Sequence, residues 1–136
     1  MKIPKVVIDT NVFVSAALLE GVSAVLMEKW KENKFVLLFS PDIFDEYFEV
    51  IARHKFNQEE KDIRELADLL TERGVVVEPQ ERLKIVKKDP DDDKFFECAV
   101  AGGADFIVSG DSHLLSLREY KGIKVLSIAQ FIKEIA

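Results

Sequence analysis

The sequence predicts an α/β protein of three layers, α/β/α, built on a central parallel sheet of four to five strands. Short apolar runs alternate with segments of helical period from one end of the 136 residues to the other, which is the signature of βαβ units. Helix-start signals recur directly after those runs. No repeat, low-complexity stretch or linker interrupts the series, so residues 1–136 are expected to form a single domain.

The first strand is Lys5 to Ile8, with a short helical segment beginning near Val12. Ser23 is expected to cap a second helix that carries Val25, Leu26 and Trp30 on one face. Phe35 to Phe39 forms the second strand. Ser40-Pro41 then sets a capping hydroxyl before a proline at the first helical position, which starts a helix reaching about His54. Within it Ile43, Phe44, Tyr47, Val50 and Ile51 share an apolar face, while Asp42, Asp45, Glu46, Glu49 and Arg53 fill the other. Asn57 followed by Glu60 opens another helix, which runs to Arg73 and stops at Gly74.

Val75 to Glu78 is a third strand, and Pro79 to Lys88 crosses the surface as a connection. A helix from about Asp92 to Ala101 ends at Gly102-Gly103. Phe106 to Ser109 is the fourth strand, Ser112 to Leu117 a short helical turn, and Lys124 to Leu126 the fifth strand. Ser127 with Gln130 forms a capping box for the last helix, Ile128 to Ile135. Right-handed crossovers would place these helices on both faces of the sheet.

Hydrophobic residues make up 48% and charged residues 32%, the balance of a soluble globular domain and not of a disordered chain. No apolar run approaches the ~20 residues that span a bilayer, and Met1-Lys2-Ile3-Pro4-Lys5 lacks a signal-peptide core, so the expected location is cytoplasmic, with no membrane partner. The lone Cys98 has no partner for an internal disulfide and reads as a small core residue. A net charge of −6 argues against a broad basic surface for duplex DNA. The short clusters Arg53-His54-Lys55 and Lys84 with Lys87-Lys88 leave room for local guidance of a nucleic-acid backbone, or are plain solvated faces.

Chemistry is concentrated in four acids. Asp9 ends the first strand, Asp111 follows the fourth, Glu46 lies in the helix after the second, and Asp92 sits in Asp89-Pro90-Asp91-Asp92-Asp93 at a helix mouth. In an open parallel sheet the carboxyl ends of the strands share one edge, and ligands bind there. Two carboxylates about 5 Å apart repel by roughly 3 kcal/mol at an effective dielectric near 20, so four together call for protons or cations. Each acid also has a plainer reading: Asp9 and Asp111 as helix caps, Glu46 as part of a polar face, the aspartate run as an exposed loop. Asp89 and Asp92 share a helical face, whereas Asp93 points elsewhere. Asn11 is placed to orient Asp9 or to hold a metal-bound water, and Ser109 offers a hydroxyl beside it. His54 and His113 lack the paired spacing of a zinc site.

Val7-Ile8-Asp9-Thr10-Asn11, the glutamate of Ser40-Pro41-Asp42-Ile43-Phe44-Asp45-Glu46, the run Asp89 to Asp93 leading to Ala99, and Val108-Ser109-Gly110-Asp111 resemble, in that order, the motifs of PIN domains. The resemblance covers roughly Lys5 to Ile132, and is greatest to the small single-domain proteins that include the VapC-like toxins of toxin–antitoxin pairs. It implies Mg²⁺ or Mn²⁺ held at a carboxylate cluster and hydrolysis of single-stranded RNA. Asp9, Glu46, Asp92 and Asp111 would be the catalytic and metal-binding quartet, supported by Asn11 and Ser109. Asp92 is preferred because it stands seven residues before Ala99, the spacing of the family's small-residue helix, with Asp89, Asp91 and Asp93 left open as substitutes. The chain departs from the pattern at His113, Leu114 and Leu115, where many relatives carry a further acid, and Ser109 replaces the commoner threonine. The resemblance also implies a homodimer and an antitoxin protein as partner, with Phe44 and Phe48 as candidate contact residues or as core.

Competing enzyme classes fit less well. A phosphoacceptor receiver domain needs an acidic pair after the first strand and a lysine after the fifth, where this chain has Ile8-Asp9-Thr10 and Leu126-Ser127. Asn11 breaks the Asp-x-Asp of a phosphatase, and there is no phosphate-binding glycine loop. A non-catalytic protein-binding module on the same fold stays open as the alternative.

Overall fold

A computed structural model of the chain describes residues 2–18, 21–53, 60–86 and 89–136. Six strands, β1 (Lys5–Ile8), β2 (Val36–Phe39), β3 (Val75–Val76), β4 (Phe106–Val108), β5 (Glu119–Tyr120) and β6 (Ile123–Leu126), form one sheet in the order β3-β2-β1-β4-β6-β5. Every pairing is parallel except β5 with β6. The expected strands are all present, and the third is trimmed to two residues. The antiparallel edge is an addition: Tyr120 pairs with Ile123 across Lys121 and Gly122, whose φ values of 50° and 83° are those a two-residue hairpin of the right twist demands.

Seven helices accompany the sheet among the described residues: α1 (Thr10–Ala17), α2 (Ser23–Lys31), α3 (Pro41–Arg53), α4 (Glu60–Arg73), α5 (Asp93–Gly102), α6 (Ser112–Leu115) and α7 (Ile128–Ile135). β1, with Val6 and Val7 fully buried, is the centre of the core, because apolar strands covered on both faces need no alternation. From β1 the chain steps outward to β2 and β3, then returns to the other side of β1 as β4. That reversal of direction between β1 and β4 opens a crevice at the carboxyl ends of the two strands.

The capping box at Ser127 and Gln130 forms as expected, and Ser40 Oγ accepts from the Ile43 amide at 3.3 Å to start α3. Ser23 does not cap α2. It is the first helical residue and is buried, while Val22 occupies the cap position with no side-chain bond. Gly74 follows α4 for a reason other than a left-handed turn: a Cβ there would lie 2.6 Å from the Leu70 carbonyl oxygen and 2.7 Å from the Phe39 ring. Gly103, at φ 66°, does supply the left-handed cap of α5. The expectations for His54, Lys55, Asn57, Lys87 and Lys88 fall outside the described residues.

α3 buries Ile43, Tyr47 and Ile51, and keeps Asp42, Asp45 and Glu49 in solvent. Tyr47 stacks on Phe13 of α1 with ring centroids 4.0 Å apart and planes 6° off parallel, a contact worth about 0.5–1.5 kcal/mol beyond its burial. Its hydroxyl donates to the Ile8 carbonyl at the end of β1. One aromatic residue thus ties the helix bearing Glu46 to the strand end bearing Asp9. Phe44 and Phe48 are partly buried against this core, 4.7 Å apart. Cys98 is fully buried, and burial pushes its thiol up to about 12, as suits an inert core residue.

Candidate active site

Asp9, Glu46, Asp92 and Asp111 line one cleft of about 200 Å³, together with Thr10, Asn11 and Asp89. The position of each acid follows from its element. Asp9 leaves β1 and caps α1, accepting from the Val12 amide at 2.9 Å through Oδ1. Its other oxygen accepts from Ser109 Oγ at 2.5 Å and from the Gly110 amide at 3.4 Å. Asp111 caps α6, accepting from the His113 amide at 2.7 Å. Capping and site-building are therefore compatible for both, since a cap is what aims a carboxylate along the sheet edge.

Ser109 joins the two aspartates. Fully buried, it donates to Asp9 and accepts from the Asp111 amide at 3.0 Å. The orientation of Asp9 thus falls to Ser109 and backbone amides, while Asn11 is exposed at the rim. Burial raises the pKa of Asp9, the Ser109 hydroxyl and two amides lower it, and the charge of Asp111 adds to the rise.

On the opposite wall, Glu46 projects from α3 with both oxygens engaged. Thr10 Oγ1 donates to Oε2, and Lys94 Nζ donates to Oε1 at 2.7 Å. Asp92 closes the short 3₁₀ turn Pro90–Asp92 that leads into α5. Burial, then the charges of Asp89, Asp111, Asp9 and Glu46, push its carboxyl up to about 7. That response places the other four acids within electrostatic reach of Asp92. Asp93 is directed elsewhere, as expected: it is buried and accepts from the Ile85 and Val86 amides at 3.0 and 2.7 Å. Glu97, one turn on, accepts from Leu83 at 2.8 Å. The two carboxylates pin the irregular segment 83–86 to α5.

Two side chains that hold Glu46 were not singled out from the sequence. Thr10 and Lys94 both hold Glu46, 36 and 48 residues away. Asp89, an alternative to Asp92 from the sequence, supplies a fifth acid. A signal for Lys94 was available, because a lysine in the first turn of a helix opposes the dipole and needs a compensating anion. A wider groove of about 580 Å³ lies beyond Glu46, lined by Arg82, Lys84 and Lys94 among several acids. All four predicted acids meet in the smaller cleft, and of these only Glu46 reaches the groove.

Among the described residues no three carboxylates, imidazoles or thiols stand close enough to grip one ion as they are. The donor set nonetheless fits a hard divalent cation. It consists of carboxylate oxygens on several elements, and the Asp92 carboxyl, raised first by burial and then by the neighbouring acids, lies where a cation would relieve the repulsion.

A parallel α/β domain presents a ligand crevice at its topological reversal, and here that crevice is lined by carboxylates. Residues 5–113 match the family model described as PIN domain, and the chain belongs to the PIN-domain family, whose members are nuclease-type domains. It is 33% identical over 129 residues to an uncharacterized protein, MJ1680, of Methanocaldococcus jannaschii, covering 91% of this chain and 82% of that one. The fold is similar to that of PAE2754 from Pyrobaculum aerophilum, with a TM-score of 0.63 at 13% identity over 98% of this chain and 89% of the other. No helix among the described residues is long and apolar enough to cross a membrane.

Proposed function

We propose that this protein is a Mg²⁺- or Mn²⁺-dependent endoribonuclease that hydrolyses phosphodiester bonds of single-stranded RNA. The observation that carries the proposal is the meeting of Asp9, Glu46, Asp92 and Asp111 in one cleft at the β1–β4 crevice of a PIN domain. These four would hold the cation, which when bound supplies a Lewis acid and an acidified water. Ser109 and the Val12 and Gly110 amides keep Asp9 in a single orientation. The Asp111 amide, bound to Ser109 Oγ, sets its carboxylate beside that of Asp9. Thr10 holds Glu46 from the α1 side. Supporting the choice of a single strand, the net charge of −6 leaves no broad basic face for a duplex.

The family resemblance further supports a cytoplasmic toxin of a toxin–antitoxin pair, acting as a homodimer and neutralised by an antitoxin protein. A second reading, a protein-binding module without catalysis, is favoured by the engagement of Glu46 with Lys94 in place of any ligating arrangement.

Incubation of unstructured RNA with Mn²⁺ and the wild-type protein should yield cleavage that Asp9→Asn and Asp111→Asn each reduce at least about 100-fold, the scale of losing a metal ligand. Cleavage undiminished in both variants would overturn the mechanism. Calorimetry separates the module reading, which predicts no carboxylate-dependent Mn²⁺ binding.

A further inference from the structure

Glu46 is held between two side chains, and they differ in kind. Thr10 donates a neutral hydroxyl, while Lys94 brings a full positive charge to Oε1 at 2.7 Å. The pair is mostly buried, its side chains 17% and 26% exposed. Lys94 sits in the first turn of α5, next to Asp93 and two residues from Asp92, where the helix dipole disfavours a cation. Its position is sustained by the acids around it. A divalent cation entering the cleft would compete for the Glu46 carboxylate and would be repelled by the same ammonium.

Space exists for the ammonium to leave. Lys94 lines the groove of about 580 Å³ beside the cleft and not the cleft itself, so the ammonium meets Glu46 from the groove side and has room there to withdraw without moving the helix.

We propose that Lys94 is the built-in counter-ion of the carboxylate cleft: it neutralises Glu46 in the cation-free protein, releases the carboxylate when a divalent cation binds, and thereby sets the cation affinity. This rests on the cleft being a cation site, as proposed above. Lys94 is a positioning residue and acts through Glu46. Its effect is opposite in sign to that of a ligand-supporting residue, because removing it exposes a carboxylate that is otherwise occupied.

Titration calorimetry with Mn²⁺ alone, in the absence of RNA, tests the proposal on wild type, K94M, K94Q, K94R and D9N, with thermal melting of each in a chelator. A unit charge about 6 Å from a divalent ion, in a water-like dielectric, changes affinity roughly tenfold. K94M and K94Q should therefore bind Mn²⁺ roughly tenfold tighter than wild type, melt at lower temperature without the ion, and gain more from its addition. K94R keeps the charge and should stay within about twofold of wild type. Equal or weaker Mn²⁺ binding by K94M and K94Q would overturn the counter-ion role while leaving the nuclease reading intact. Absence of binding in wild type as well as D9N would remove the cation site, and this proposal with it.

Discussion

On the sheet side of the cleft, Asp9 and Asp111 are fixed by backbone amides and by a serine with no exposure, all within two adjacent strands and the turns that follow them. On the helix side, Glu46 comes from α3 and is held by the Thr10 hydroxyl and the Lys94 ion pair, while Asp92, at the entry to α5, lies under the repulsion of the neighbouring acids. One wall is preorganised and the other is set by charge. Preorganised acids lose little entropy when they take a ligand, whereas charge-held acids adjust to what neutralises them. A site of this construction brings its parts into register only when the counter-charge arrives.

The sharpest test of that contrast lies in the aspartate run. Asp92 faces the cleft, whereas Asp93 serves the Ile85 and Val86 amides. Asp92→Asn should lower Mn²⁺-dependent cleavage by about 10–100-fold with little loss of stability. Asp93→Asn keeps an oxygen for the amides and should leave cleavage within a few-fold. Reversal of the two outcomes would transfer the third acid to Asp93 and break the assignment of the helix wall.

Much of the sheet wall was legible in the sequence. An ionisable residue directly after a buried apolar run is conspicuous, and both Asp9 and Asp111 follow such runs. Their place on one sheet edge followed from the βαβ alternation, whereas the reversal that sets β4 beside β1 did not. The helix wall was legible in outline only. Glu46 is one of five polar residues on the outer face of α3, and nothing local distinguishes it from Glu49, which pairs with Arg53 at 2.6 Å in solvent. Its partner Lys94 lies 48 residues away, a separation that no periodicity or spacing encodes. The β5–β6 hairpin escaped for another reason: its strands are two and four residues long, and Lys121 stands where asparagine or aspartate would have announced the turn. Gly74 carried a misleading signal, since a glycine after a helix usually marks a left-handed cap and here marks a close approach.

The rigidity of the sheet wall can be broken at Ser109. Ser109→Ala leaves a buried Asp9 oxygen and the Asp111 amide short of their hydroxyl partner, which should cost about 1–3 kcal/mol in urea denaturation. Ser109→Thr restores the hydroxyl and should recover most of that loss. A negligible effect of the alanine would mean that the backbone alone orients Asp9.

The smallest expected effect probes the helix wall through pH. Asp92 titrates at about 7 in the folded protein against 3.8 for the free side chain. Between those values the folded state holds a proton that the unfolded state has released, so stability falls as pH rises through that window. The whole shift would amount to about 4 kcal/mol, and water at the cleft mouth reduces it to roughly 1–2 kcal/mol. Urea denaturation without divalent ions should therefore show lower stability at pH 8 than at pH 5 from this group. Asp92→Asn should flatten the slope, leaving the part due to Asp9, whose pKa is also raised. Mn²⁺ should flatten the wild-type slope in the same way, because a cation replaces the proton as the neutralising charge. If the wild-type and Asp92→Asn slopes coincide, repulsion does not shape this wall, and the two sides of the cleft differ in exposure alone.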